Sequence, residues 1–341
     1  MSGINILPSL SDRNYRVSNM KLSIIIVSWN VREDLVRCLR SIEENRPMSE
    51  FEVIVVDNAS SDGTVDAVRC DFPEVTIIAN KENRGYAAAN KQAVEKSRGE
   101  YTLFLNPDSI MLPETLDKLI EFMDDNEDVG ICGPKLLNED GTIQATVRRF
   151  PDFRSAWYRY TIFKALCIFR RHHHRYMMYD FSYDRQMDVD QVIGAALMTR
   201  RSIIDELGGM DELFFMYYEE VDFCYRVKNA GWRIVFVPDI VITHFGGRSS
   251  EQIPIEVRAM SLTSVLGYFR KNRGAFVTGL FNVLFKPAVI LRCILDIVVG
   301  LLTCGLATLL LNRKRQLKSA VKVKRTAIWL WRYSWQLLFK M

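Results

Sequence analysis

From Lys21 onward the chain alternates short apolar runs with amphipathic stretches. Leu22–Ser28 (LSIIIVS) is a β-branched run of strand length, and Leu35, Leu39 and Ile42 then recur at helical spacing. Phe51–Asp57 (FEVIVVD), Val75–Ala79 and Tyr101–Leu105 read as further strands, with helical stretches near 62–70 and 86–97. Apolar strands separated by helices predict a parallel sheet covered on both faces. Its crossovers should be right-handed, and its ligands should sit beyond the carboxyl ends of the strands. Residues 150–190 break the pattern and read as a basic, aromatic, solvated loop. Within it, RRHHHRYMMY (170–179) places three histidines side by side, where their rings diverge and make poor joint metal ligands. Regular elements resume with a strand at 191–198, helices at 201–207 and 219–229, and strands at 233–237 and 240–243. No internal repeat is visible.

The pattern changes again at Phe276. Ala288–Leu311 is apolar except for Arg292 and Asp296, which can pair at i,i+4. The uncharged part, Ile297–Leu311, would span about 22 Å as a helix, short of the ~30 Å hydrocarbon core. The remainder, from Arg313, carries nine Lys or Arg, no Asp or Glu, and the aromatic residues Trp329, Trp331, Tyr333 and Trp335. The whole chain has a net charge of +4, so a mildly acidic body carries a strongly basic tail. Such a tail suggests nucleic acid or an anionic membrane; the apolar run and the aromatic residues beside the basic ones favour the membrane surface and no nucleic acid. The length of 341 residues suits one large α/β domain with an appendage. The expected layout is a disordered extension at 1–20, a catalytic-sized domain at 21–260 and a helical, membrane-associating region at 261–341. Charged residues at 25% and apolar residues at 48% exclude a disordered chain. Seven cysteines, an odd number with no CxxC pair, argue against a disulfide framework and for a reducing compartment. The first 20 residues hold no apolar run of the kind a signal peptide needs.

The strand ends carry the candidate chemistry. Asp57 ends the second strand, where its carboxylate could accept hydrogen bonds from a base or ribose, or simply shape an Asx turn. Asn106-Pro-Asp108 follows the fourth strand and offers oxygen ligands for a hard divalent cation, or an ordinary turn. Asn83-Arg84-Gly85 precedes a helix, placing Arg84 at the mouth of a site or in solvent. Glu219, Glu220 and Asp222 open a helix after the aromatic run 214–218; the macrodipole favours some negative charge there, and Asp222 can pair with Arg226 at i,i+4. His244 ends a strand and could complete a metal site or serve structurally.

Taken together and in order, SIIIVSWN (23–30), VDNASSDGT (56–64), NRGYAAANKQA (83–93), LFLNPDS (103–109), GGMDELFFMYYEEVDFCYR (208–226) and THFGG (243–247) resemble the family 2 glycosyltransferases. Within them the chain is most similar to the bacterial rhamnosyltransferase-like branch, over roughly residues 21–250. The resemblance implies a GT-A fold, a Rossmann-like, mostly parallel α/β sheet with helices on both faces. It implies that Ser28, Trp29, Asn30 and Asp57 hold the nucleotide of a dTDP- or UDP-linked sugar, with Arg84 near the base. It matches Asp108 and His244 to ligands of a divalent cation, Mn2+ or Mg2+, and sets Asp211 toward the acceptor. Asn106 stands where many relatives carry Asp, which weakens a direct role on the metal. Glu220 matches the catalytic base, although many relatives read Glu-Asp at 219–220, and Glu219 or Asp222 remain alternatives. The implied reaction is inverting transfer, rhamnose favoured, to a glycan or lipid-linked acceptor in cell-surface polysaccharide synthesis. A cytoplasmic donor and a basic tail that prefers the same side imply an in-plane or re-entrant segment on the cytoplasmic face. The rivals are a sugar nucleotidyltransferase, disfavoured because Ser-Trp-Asn-Val-Arg after strand one has no glycine, and a non-catalytic sugar-binding membrane scaffold.

Overall fold

The computed structural model describes residues 20–309 and 313–339. The expected N-terminal extension, Met20 apart, lies outside the described residues. In chain order the elements are β1 (Leu22–Ser28), α1 (Arg32–Glu44), β2 (Phe51–Asp57), α2 (Thr64–Asp71), β3 (Thr76–Ala79), α3 (Tyr86–Lys96), β4 (Tyr101–Leu105), β5 (Ser109–Met111), α4 (Thr115–Asp125), β6 (Val129–Leu137) and β7 (Val147–Arg148). They continue with α5 (Phe153–Tyr160), α6 (Arg170–Met177), β8 (Met187–Asp188), β9 (Gln191–Val192), β10 (Ala196–Arg200), α7 (Arg201–Leu207), α8 (Glu219–Asn229), β11 (Arg233–His244), α9 (Pro254–Arg273), α10 (Ala275–Leu309) and α11 (Arg313–Phe339).

The main sheet runs β3-β2-β1-β4-β10-β6-β11-β5, with β8 also on β11. Strands β3, β2, β1 and β4 pair in parallel, and β11 runs parallel to β6. Antiparallel β10 is inserted between β4 and β6. The alternation along the strands sorts the core. Ile24, Ile26, Val53 and Val55 pack on one face against Leu35, Leu39, Leu116 and Leu119 of α1 and α4. Ile25, Val27, Ile54 and Val56 pack on the other against Ala87, Ala89, Ala93, Ile203 and Phe223 of α3, α7 and α8. Burial on both faces explains why these strands read as unbroken apolar runs.

Three expected elements differ. The strand expected at 191–198 is two strands: β9 pairs with β7 in a small sheet, β10 joins the main one, and Gly194 lies between them. The two strands expected at 233–237 and 240–243 are one, β11, with a register shift between Val237 and Val241 where Pro238 cannot donate to the ladder. The loop expected around the histidines contains α5 and α6.

The expected boundary at 260/261 falls inside α9. Tyr268 and Phe269 of α9, with Phe153 and Trp157 of α5 and Phe214 and Tyr218, form a third apolar cluster that also takes in Phe285, Val289 and Cys293 of α10 and Trp329 of α11. Helices α10 and α11 pack on each other, and one side of the pair is thereby fastened to the rest of the chain. Arg292 and Asp296 form the expected pair at 3.1 Å.

Candidate functional site

The carboxyl ends of β1, β2 and β4 open into a cavity of about 310 Å3, a volume suited to a small ligand. Trp29, Asn58, Asn83, Asn106, Asp108, Tyr217, Glu219, Glu220 and His244 all line it.

The β1–β2 side is a web of short polar contacts. Ser28 and Asp57 face each other across the ladder. Asn30 adopts φ 52° and Ala59 φ 67°, left-handed conformations that non-glycine residues hold only under constraint. The Asn30 amide N–H donates to Ser60 Oγ at 2.9 Å, and Ser61 N–H donates to Asn30 Oδ1 at 2.8 Å. Ser60 N–H donates to Asp57 Oδ2 at 3.0 Å, whereas Asp57 Oδ1 and Ser28 Oγ are buried with no partner. Ser28, Asn30 and Asp57 stand behind the cavity wall formed by Val27, Trp29 and Asn58 and do not themselves line it. Asn58 donates to Asn83 Oδ1 and accepts from Arg84 N–H, fixing the loop ahead of α3.

The β4 side presents Asp108 and His244. The ladder of β5 on β11 sets Ser109 opposite His244, which brings Asp108 Oδ1 to 3.2 Å from His244 Nε2. Gln144 Nε2 donates to the His244 carbonyl at 2.7 Å, so its Oε1, 2.8 Å from Nδ1, accepts the Nδ1 proton. That leaves the Nε2 lone pair facing a carboxylate oxygen, with Asn106 Nδ2 at 3.2 Å. Two electron-rich atoms held together, with the tautomer set from behind by a glutamine, are the arrangement a cation stabilises. The residues therefore fit a divalent cation, as a two-residue set; among the described residues no group of three or more His, Cys, Asp or Glu could hold one. The three adjacent histidines diverge: His173 stacks on Tyr158, whereas His174 meets Tyr179 edge-on. Burial and neighbouring cations depress His173 to a pKa of about 4.

Opposite this pair stand Glu219 and Glu220. Tyr217 and Tyr218 adopt φ 70° and 71°, each a strained conformation for a tyrosine, and this turn starts α8 with both carboxylates at the cavity wall. One oxygen of each, Oε2, is buried without a partner. Burial raises the pKa of Glu219 well above the carboxylate range, and the Glu220 charge raises it further. Burial also raises Glu220, but backbone N–H groups at the helix start and the Arg148 guanidinium work against the rise. Both carboxyls are thus pushed up by burial, Glu219 with the Glu220 charge added and Glu220 with Arg148 and backbone N–H groups opposing the rise.

Asp222 is corrected as a candidate: fully buried, it is taken up by Arg226 Nε at 2.8 Å, Lys271 Nζ at 2.8 Å and Asn272, outside the cavity lining. Asp211 pairs with Lys271 at 2.6 Å and ties its loop to α9, so it too lies off the cavity. The exposed Arg84 does not line the cavity either; its neighbours Asn83 and Gly85 do. Gln144, Arg148 and Tyr86 belong to the site without a sequence signal of their own. Tyr86 Oη lies 3.4 Å from Asn106 Oδ1 and 3.3 Å from the Gly194 carbonyl.

A mixed α/β sheet whose strand ends gather Glu219, Glu220, Asp108 and His244 around one cavity has the GT-A class of fold. Residues 23–208 match the sequence model of glycosyl transferase family 2, and the chain belongs to that family. It is a glycosyltransferase. It is 27% identical over 248 residues to the N-acetylglucosaminyl-diphospho-decaprenol L-rhamnosyltransferase of Mycobacterium tuberculosis (strain CDC 1551 / Oshkosh), covering 68% of this chain and 78% of that one. It is 24% identical over 239 residues to the dTDP-rhamnosyl transferase RfbF of Shigella flexneri, covering 69% and 72%. The fold resembles that of a mannosyltransferase from Pyrobaculum calidifontis solved with GDP-Man and Mn2+, with a TM-score of 0.51 at 18% identity over 92% of this chain and 87% of that one.

Proposed function

We propose that the chain transfers L-rhamnose, with inversion, from dTDP-rhamnose to a sugar hydroxyl of a lipid-diphosphate-linked glycan at the cytoplasmic face of a membrane. The observation that carries this reading is the placing of Glu219 and Glu220 in the lining of the same small cavity as Asp108 and His244. The two rhamnosyltransferase relatives support the donor, and the lipid-linked substrate in the first one's name supports the acceptor.

In this reading the nucleotide lies against Trp29 and Asn58, and Ser28, Asn30 and Asp57 support that wall from behind. Asp108 and His244 would hold a divalent cation, whose charge compensates the departing diphosphate. Glu220 takes the proton of the acceptor hydroxyl. That oxygen bonds to the anomeric carbon from the face opposite the diphosphate, and the bond from that carbon to the diphosphate oxygen breaks. Glu219, pushed toward its neutral form by burial and the Glu220 charge, shares the wall with the base and in that form would donate a hydrogen bond to the acceptor. A single displacement inverts the anomeric centre, since no carboxylate need attack the donor first.

The test is a donor screen on the full chain with Mn2+ or Mg2+, following nucleoside diphosphate release and transfer to a lipid-diphosphate-linked N-acetylglucosamine. Release from dTDP-rhamnose well above that from other sugar nucleotides, abolished by EDTA and by Asp108→Ala, is the expected result. Undiminished turnover in excess EDTA would overturn the metal assignment, and preference for another donor would overturn rhamnose.

A further inference from the structure

The motif RRHHHR lies on α6, which forms one bank of an open groove of about 880 Å3. Arg170, Arg171, His174 and Arg175 come from α6, Arg149 from the residue after β7, and Arg185 from the segment between α6 and β8. Asp180 is the one carboxylate in the lining. Arg46, Arg98, Arg201 and Arg233, by comparison, pair with Glu74, Glu52, Asp205 and Asp188. Among the described residues none of the five groove arginines forms an ion pair. Five guanidinium groups lining one groove repel one another, and an anion seated among them relieves that repulsion while accepting paired hydrogen bonds.

The groove's neighbours say which anion. Arg148 lines the catalytic cavity and Arg149 the groove, so consecutive residues join the two walls. Helix α6 also packs on α5, whose Phe153 lies tilted against Phe281 of α10 and whose Trp157 meets the same ring edge-on. Helix α10 leaves Phe276, Leu280, Val283 and Leu284 exposed. An apolar surface, a cationic groove and a sugar-sized cavity thus adjoin in sequence, matching the lipid, diphosphate and sugar of one substrate.

We propose that this groove binds the diphosphate of a lipid-linked acceptor. The inference rests on the lipid-linked acceptor of the proposed function and adds the residues that hold it. The probe is farnesyl diphosphate, with farnesol as its uncharged counterpart, titrated calorimetrically into the full chain in detergent. Wild type should bind the diphosphate at least tenfold more tightly than farnesol. R171Q/R175Q should lose about tenfold or more of that affinity while its donor hydrolysis stays unchanged, which also reports that it is folded. R185Q, in the segment between α6 and β8, should lose affinity in the same sense. Equal affinities of wild type and both variants would overturn the proposal. So would loss of binding to phosphatidylglycerol vesicles with farnesyl diphosphate affinity intact, because the groove would then read membrane headgroups. Tight, arginine-dependent binding in a chain that transfers nothing to lipid-linked sugars would leave the groove standing and overturn the acceptor reading instead.

Discussion

Glu219 and Glu220 are adjacent carboxylates in one buried wall, and each makes the other harder to ionise. Their roles follow from what else they touch. Arg148 and the first backbone N–H groups of α8 favour charge on Glu220, whereas Glu219 has burial and a negative neighbour against it. Glu220→Gln keeps the shape and removes the base, so transfer should fall by about 10²–10⁴-fold with donor binding retained. Because the Glu220 pKa is raised, the rate should climb with pH through a value above the ordinary glutamate range; a flat acid limb in wild type would argue against it. Glu219 gives a stability prediction of definite sign. Its folded pKa lies above its unfolded one, so its contribution is full below the unfolded pKa and is lost as pH rises through the folded value. Glu219→Gln should therefore unfold at a higher temperature than wild type near neutral pH and lose that advantage in acid, as calorimetry at two pH values would read. The sequence pointed to Glu219, Glu220, Asp108 and His244 because each ends or opens a regular element. It could not show that Asp222, one helical turn from Arg226, would also meet Lys271, since that contact depends on where α9 lands. Gln144 was equally hidden: it acts only through His244, 100 residues away.

At the scale of elements, the site is a seam between the loop before α3 and the strained turn before α8. Gly85 has φ +86°, and a Cβ there would lie 2.6 Å from the Phe215 carbonyl oxygen and 2.8 Å from its ring. The neighbouring Tyr86 N–H donates to that same oxygen at 2.7 Å. Gly85→Ala must therefore push the turn carrying Tyr217 and Tyr218 away from the cavity. At φ +86° and ψ 165°, a region essentially reserved for glycine, the backbone strain alone costs about 1–3 kcal/mol. Thermal melts should show a loss of that order, with transfer reduced far more than the melting temperature suggests; full activity would mean the turn can move freely. The parallel strands were legible because burial on both faces leaves continuous apolar runs. Strand β6 was not, since Gly130, Gly133 and Pro134 interrupt its pattern. Each glycine answers a close approach, Gly130 to Ile203 and Trp232, and Gly133 to Val192. Helices α5 and α6 were hidden for another reason: α6 is so rich in Arg and His that its composition reads as solvent-exposed chain, and only packing on α5 makes it an element.

Across the whole molecule, the unresolved balance of surface lies on the C-terminal hairpin. Ala275–Ala307 is long and apolar enough to cross a membrane, with a mean hydropathy of 2.3 and 17% of its most apolar window buried. It is held on one side by α5, α9 and α11, which leaves Val298, Val299, Leu301 and Leu302 exposed. Trp331 and Trp335 of α11 are also exposed, at 83% and 65%, on a helix with no acidic residue. A helix so charged does not enter hydrocarbon, yet it packs along α10, so the two fit a position in the interface better than a crossing. In the proposed reading the catalytic domain lies on the side where the basic residues would meet anionic headgroups. Each Lys or Arg near such a surface is worth about 1 kcal/mol, so replacing Lys318, Lys324 and Arg325 by Gln should lower partitioning by about 100-fold. The measurement is sedimentation with phosphatidylglycerol vesicles, using the full chain because α10 covers Phe153 and Trp157 of the catalytic body. Wild type should pellet with the vesicles and be partly released by salt, leaving a salt-resistant fraction held by the apolar face. If wild type stays in the supernatant at low salt, or the triple substitution changes nothing, the hairpin's charge is not what meets the bilayer. If salt releases it completely, the exposed leucines and tryptophans face something other than lipid.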